Sequence, residues 1–391
     1  MRDVIIVSLK VGQNVSLKNR YVVRMKKKNL LSVAAIGIVL VSVFSGCLDS
    51  VLDSSTTYES HTTKITYTLR YGYTVECNGT GQYTIMYDCD TAEVVQGMVS
   101  YHPLYAVQFE NITLVNNSFL RWNITADDSA TYDLGIEANV VAESFLVSDL
   151  TGSQANTISE IAMMYPVVVS KYCMGQSNGS VYLIDPSDRA IQSVAEDVLE
   201  AADTTNSFLA AKELFIWLKE NTEYKLHSAS GAVQPARVTL ERKTGDCDDL
   251  SFLYLSLCRA IGIPARFIRG YLLSEEPSGL ISVTPHAWAE VFVGGGIGNM
   301  GWVPVECACD CDEVTVNVHQ NFGVENAFHL RLFVDDGSNE SLTVSLSGIK
   351  TTRYGLERTI DLSSLAEVED YTSVESKKLV ISSDDQRSYQ S

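Results

Sequence analysis

Only 8 prolines and 25 glycines occur among 391 residues. That scarcity excludes a collagen-like repeat and a largely disordered chain, both of which need far more of either. Positive charge is also short: 29 Lys and Arg against 48 Asp and Glu, a net charge of −19. A surface that acidic repels phosphate backbones, so no nucleic-acid partner is expected. Hydrophobic residues at 46% and charged residues at 20% are ordinary for a globular protein, and the length allows two or three domains.

The charge is unevenly placed. Residues 1–46 carry eight basic residues and one acidic residue. Lys26-Lys27-Lys28 precedes an apolar run from Leu30 to Phe44, 15 residues long, and Ser45-Gly46-Cys47 closes it. A basic stretch, an apolar stretch and small residues outline an export signal. The closing Cys resembles the lipobox of prokaryotic lipoproteins, with Phe44 where Leu is usual, and that resemblance implies a lipid on Cys47. The alternative is an uncleaved anchor, since Leu30 to Leu48 is 19 residues, just enough to span a bilayer. Met25 opens the signal cleanly, so residues 1–24 read as an over-extended start.

Either anchor keeps the lysines inside and places the rest on the extracytoplasmic face of the cell membrane. There 21 basic residues meet 47 acidic ones, a net charge of −26. Such a body is held off an anionic membrane except through its anchor. It also tilts the expected substrate toward neutral or basic peptides. Seven N-x-S/T sequons, at Asn14, Asn78, Asn111, Asn116, Asn123, Asn178 and Asn339, suit a glycosylated envelope protein. A Thr-rich β domain would raise their number by itself.

After the leader, residues 47–64 read as a Ser/Thr-rich tether. Residues 65–185 alternate in short Tyr/Thr/Val-rich runs broken by Gly, Asn and Asp, which predicts an antiparallel, sandwich-like accessory domain. Residues 186–350 bring helical spacing at Ile191, Val194, Ala195, Val198 and Leu199. A second helix is predicted from Ser207 to Tyr224, and alternation returns toward Leu346. The last segment, 351–391, reads as a polar, acidic C-terminal tail. The fold class expected is α+β, helices plus an antiparallel sheet, preceded by the β domain.

The chemistry concentrates in residues 244–306. Gly245-Asp246-Cys247-Asp248-Asp249-Leu250 opens an apolar run to Ile261, and Gly262-Ile263-Pro264 stops it. Cys247 therefore starts a buried helix, where the dipole and unpaired N–H groups lower a thiol pKa. Its own N–H can serve a developing oxyanion. Asp248 and Asp249 suit the first turn as capping residues. His286 begins a strand ending at Val293, and Gly301 to Glu306 reads as the next strand after a Gly-rich hairpin. Antiparallel neighbours can set His286 beside Glu306, so that the carboxylate holds the imidazole and steadies its cation.

G-D-C-D-D-L, then C-R-A-I-G-I-P-A-R-F-I-R-G-Y, then H-A-W-A-E-V, then G-W-V-P-V-E resembles the transglutaminase-like core of the papain-like thiol enzymes, over roughly residues 190–335. The resemblance implies Cys247 as nucleophile, His286 as base and Glu306 as the acid, where the family usually has Asp. It makes Arg266 and Arg269 architectural. It implies acyl transfer at amide bonds of a peptide or protein, ending in hydrolysis or transamidation, with no cofactor and no metal. The competing reading is a non-catalytic binding or scaffold module on the cell surface.

Among the other cysteines, Cys258 falls inside the apolar helix as a buried thiol. Cys77 and Cys89 suit a hairpin disulfide in an exported chain. Cys307, Cys309 and Cys311 follow Glu306 at a spacing open to disulfide, packing or soft-metal roles, without an evident fourth ligand beside His319. Asp310, Asp312 and Glu313 read as a solvated acidic turn or a calcium-attracting one.

Overall fold

The computed structural model describes residues 4–6, 55–226, 233–309, 313–345 and 348–391. The apolar run, Cys47 and Asn14 lie outside them. Among the described residues, no helix is long and apolar enough to cross a membrane.

Two five-stranded sheets face each other. In one, Gly97–Pro103, Ala130–Glu143, Thr56–Asn78, Thr359–Ile381 and Arg387–Gln390 lie side by side. In the other, Phe109–Leu114, Asn117–Ala126, Tyr83–Asp90 and Lys350–Arg353 pair in order, with Val4–Ile6 at the edge. The first long strand shows why. Ile65, Tyr67, Leu69, Tyr71, Tyr73, Val75 and Cys77 alternate with polar residues, and all seven are buried. A period of two puts them on one face, where they meet Tyr83, Ile85 and Trp122 of the opposite sheet in one core. Each large apolar side chain so buried contributes about 1.5–3 kcal/mol.

The segment 351–391 is not a tail. Its strand Thr359–Ile381 pairs antiparallel with Thr56–Asn78 from Thr359 opposite Asn78 to Ile381 opposite Thr56. Polarity misled the reading, because much of this strand's side-chain surface faces solvent and the backbone ladder, not an apolar stripe, holds it in place. Arg387 fastens the end. Its buried guanidinium donates to the carbonyls of Val147, Val318, His319, Phe322 and Gly323. The β-rich stretch also stops earlier, and short helices Ile158–Met164 and Pro166–Tyr172 follow. Ile161 from these packs on Phe292 and Trp302 of the next unit.

That next unit sits between the strands that complete the sandwich. Helices Arg189–Ala202, capped by Asp188, and Ser207–Asn221, capped by Asn206, pack with the helix Cys247–Ala260. Against them lies a four-stranded antiparallel sheet ordered Trp302–Val305, Ile281–Phe292, Ala265–Glu275, His329–Val334. The Cys247 helix stops as its sequence dictates: Gly262, at φ +84°, donates its N–H to Arg259, and Ile263 donates to Cys258. The two units share a core through Leu273, Leu330 and Leu332, and Arg269 donates to both carboxylate oxygens of Asp90 at 2.9 Å.

Cys77 and Cys89 are both buried and free, so the expected hairpin disulfide does not form. Cys77 lies opposite Ala130 near the end of Thr56–Asn78, with Tyr83 near its thiol, whereas Cys89 lies opposite Leu120 in the other sheet. Cys89 lies six residues beyond Tyr83, about 20 Å along an extended strand, and a disulfide needs Cα atoms within about 7 Å.

Candidate active site

Cys247 is the first residue of its helix, behind Asp246 as cap. Asp249 closes a capping box: it accepts the Asp246 N–H at 3.2 Å and the Gln234 N–H at 2.6 Å. Its expected capping role is thus met. Gly245 is required here, because a Cβ would lie 2.6 Å from the Asp249 Cβ. The other wall of the site is the strand carrying His286. The Cys247 helix packs directly against that strand, and the backbone N–H of Ala287, next to His286, exerts a pull on the Cys247 sulfur.

His286 and Glu306 come together as the strand order predicts. The ladder aligns Ala289 with Val305, so Glu306 falls opposite Trp288 and one diagonal step from His286 on the same face. The long Glu side chain spans that diagonal. His286 Nε2 lies 2.6 Å from Glu306 Oε2, and the side chains are 9% and 11% exposed. The other carboxylate oxygen accepts the Ala308 N–H at 2.7 Å. The Glu306 N–H donates to Asn321. Lys219 Nζ donates to the Cys307 and Cys309 carbonyls and pins the segment that follows. With Nε2 committed to the carboxylate, Nδ1 is the nitrogen left to His286 for the thiol proton. The Trp288 ring stacks on the imidazole at 5.9 Å between centroids and 23° between planes. Its indole N–H is held by Glu325.

A further histidine shares the site. His329 begins the strand on the far edge of the sheet, yet its Nε2 lies 3.0 Å from the same Glu306 Oε2. The chain after Glu306 makes this geometry by folding back, with Val305 bridged to Phe322 and Gly323 bonded to Pro304. Gly270 on the central strand is opposite both His286 and Arg331, and a Cβ there would strike the Leu330 carbonyl at 1.9 Å. Nothing in the family pattern pointed to His329. Its one sequence signal is a histidine at the head of an alternating apolar strand, His329 to Val334. Tyr224 was also missed. Its phenol is pushed up by burial and by the charges of Cys247, Asp246, Glu306 and Asp248, so it shares their electrostatic surroundings.

Electrostatics correct one expectation. The Cys247 thiol is not lowered; burial, then Asp248 and Asp246, push it well above the ordinary thiol value, against the pull of the Ala287 N–H. The resting sulfur is therefore held as a thiol. Asp248 is itself pushed well up, by burial and by the Asp246 carboxylate beside it. Burial would raise Glu306 as well, but His286 and His329 outweigh it and hold the carboxyl well below its usual range.

The remaining expectations fall as follows. Arg266 pairs with Glu290 and lies 4.0 Å from the Trp302 ring, so it is architectural, like Arg269. Cys258 is a buried free thiol. Cys307 is buried and free, and Cys309 hydrogen-bonds to Asn317 Oδ1. Cys311, Asp310 and Asp312 lie outside the described residues. His319 Nδ1 lies 2.9 Å from the Tyr58 hydroxyl. Among the described residues, donor atoms of His286, Glu306 and His329 lie within 4.8 Å of one another, as do those of Asp246, Asp248 and Asp249. Both groups are tied by internal hydrogen bonds.

Residues 192–307 match the family model of the Transglutaminase-like superfamily. No curated protein matches the chain. Among solved structures, a candidate cysteine protease from Cytophaga hutchinsonii is similar at 16% identity, over 80% of this chain and 93% of that one, with a TM-score of 0.46. The periplasmic domain of TgpA from Pseudomonas aeruginosa is similar at 12% identity, over 63% and 88% of the two chains, with a TM-score of 0.30. A candidate protease from Parabacteroides distasonis is similar at 9% identity, over 68% and 47%, with a TM-score of 0.26. The helix-borne Cys247, the sheet-borne His286 and Glu306 and the matched span agree: residues 192–307 carry a transglutaminase-like core domain of the general thiol-enzyme fold.

Proposed function

We propose that this protein is a thiol enzyme acting on amide bonds of peptides or proteins outside the cytoplasmic membrane, to which its N-terminal segment tethers it. One observation carries the reading. The helix that begins with Cys247 packs against the strand that presents His286, and a buried carboxylate lies 2.6 Å from the His286 ring. In the first step the Cys247 sulfur bonds to the substrate carbonyl carbon while its proton passes to His286. The carbonyl electron pair becomes an oxyanion, for which the Cys247 N–H at the helix start is a donor. The C–N bond then breaks, His286 delivers the proton to the departing amine, and a thioester remains. Water releases an acid, or a second amine forms a new amide, and either returns the thiol. Glu306 holds the tautomer and balances the imidazolium.

The test is selective carboxamidomethylation of the folded protein, together with turnover of a neutral or basic peptide library. Modification concentrated at Cys247 and lost in His286→Ala, with turnover lost in Cys247→Ala, is the expected result. Turnover that survives Cys247→Ala would end the proposal.

A further inference from the structure

Resting on the thiol-enzyme reading, we infer that His329 is a doubly protonated positioning residue whose positive charge balances Glu306, so that the site holds two histidines on one carboxylate.

Asn326 Oδ1 accepts the Phe328 backbone N–H at 3.1 Å. A backbone N–H can only donate, so this atom is the amide oxygen and accepts. His329 Nδ1 lies 2.9 Å from the same oxygen and must carry a proton to bond it. Its other nitrogen, Nε2, lies 3.0 Å from Glu306 Oε2. That oxygen also receives His286 Nε2 at 2.6 Å, and the other carboxylate oxygen takes the Ala308 N–H at 2.7 Å, so three nitrogens surround the carboxylate, favour its ionised form and find in it only an acceptor. Both His329 nitrogens therefore carry protons, which makes the ring a cation.

The surroundings agree. His329 is 5% exposed, so water does not supply the missing partners. Trp288 meets its ring edge-on at 4.8 Å and fixes its plane. The titratable groups that touch it are Glu306, from the segment after Trp302–Val305, and His286, from Ile281–Phe292, with ring centroids 5.6 Å apart; Arg331, two residues along its own strand, is paired with Glu290 and Glu325. Across the ladder its neighbour is Leu272.

The consequence is a charge count. When Cys247 gives its proton to His286, the site holds a thiolate, an imidazolium and Glu306. Without His329 that triad is a buried net negative charge beside Asp246 and Asp248. With His329 as a cation the four groups sum to zero. His329 thus favours the thiolate that Asp246, Asp248 and burial oppose, while its N–H keeps the Glu306 carboxylate aimed at His286.

The experiment compares wild type with His329→Gln, which keeps a neutral N–H donor for Glu306 but removes the charge. The rate of Cys247 carboxamidomethylation is followed from pH 5 to 9 by peptide mass spectrometry, with circular dichroism reporting the fold. In folded H329Q the onset is expected to move up by roughly one pH unit, with modification at neutral pH roughly tenfold slower. A merely structural role would lower stability and leave the onset in place, and an unchanged onset overturns the inference. Independently, wild-type protein labelled with 15N-histidine should show both His329 nitrogens protonated at neutral pH, the signals assigned by replacing the other five histidines singly. An unprotonated His329 nitrogen overturns the inference even if H329Q does not fold. If wild-type Cys247 is not selectively modified at all, the thiol-enzyme reading fails, while the nitrogen signals still decide the charge of His329.

Discussion

Replacing Glu306 with Gln leaves the side-chain shape and removes the charge, and the structure sets the size of the effect. One carboxylate oxygen receives His286 and His329, and the other receives the Ala308 N–H. A Gln amide has one accepting end. If its oxygen faces the histidines, its NH2 confronts the Ala308 N–H; if it faces Ala308, the NH2 confronts two imidazoles. Either way a buried donor loses its partner, which costs about 1–3 kcal/mol of stability. The His286 cation also loses its counter-charge. Two unit charges about 4 Å apart at an effective dielectric near 20 interact by about 4 kcal/mol, so thiolate formation at Cys247 should fall roughly a thousandfold. Glu306→Asp keeps the charge but shortens the diagonal reach, and a loss of about tenfold is expected. The assay is the pH–rate profile of Cys247 carboxamidomethylation beside urea unfolding of each variant. A folded Glu306→Gln protein with the wild-type profile would refute the role given to this carboxylate.

Other parts of the fold yield sharp expectations. Burial would raise Glu290, but Arg266 and Arg331 outweigh it and hold it at about 2, down from 4.5. Its folded value is depressed, so its contribution of about 3 kcal/mol is fully present above pH 4.5 and lost as pH falls toward 2. Urea unfolding between pH 2 and 6 should show that loss, and Glu290→Gln should flatten it. Gly270→Ala would drive a Cβ into the Leu330 carbonyl between the strands bearing His286 and His329. It should destabilise by about 3 kcal/mol or more, read by thermal melting, and slow Cys247 modification in whatever remains folded. Arg387→Met strands five buried carbonyl acceptors and should cost about 3 kcal/mol in urea unfolding. A chain ending at Arg353 should fail to yield soluble protein, whereas a dispensable tail would be lost without effect.

The core and the His286–Glu306 pair were legible because their signals are local. Capping residues, an apolar run and a Gly-Ile-Pro stop delimit the Cys247 helix, and residues 286–306 alternate through one hairpin. Even Glu306 followed from strand adjacency. Three features were not legible, and each depends on distant chain. His329 reaches the site only because the segment from Glu306 to Phe322 folds back on the sheet. The raised thiol reflects burial and the charges of Asp248 and Asp246, which outweigh a helix start that alone would lower it. The strand Thr359–Ile381 carries no apolar stripe strong enough to announce itself, since its partner is 281 residues upstream at the Thr359–Asn78 pair.

That pairing also bears on when the protein becomes competent. Thr57 meets Val380 and Thr56 meets Ile381, so the sandwich cannot close until synthesis has passed residue 381. The helices and sheet around Cys247 are made of nearer contacts and emerge earlier. Contacts so remote in sequence form late. The thiol core is therefore assembled before the platform that holds Arg269 through Asp90 and buries Leu330 and Leu332. During that interval the growing chain exposes the unpaired edge of Thr56–Asn78, a template for mispairing that only its own distant strand is built to cover.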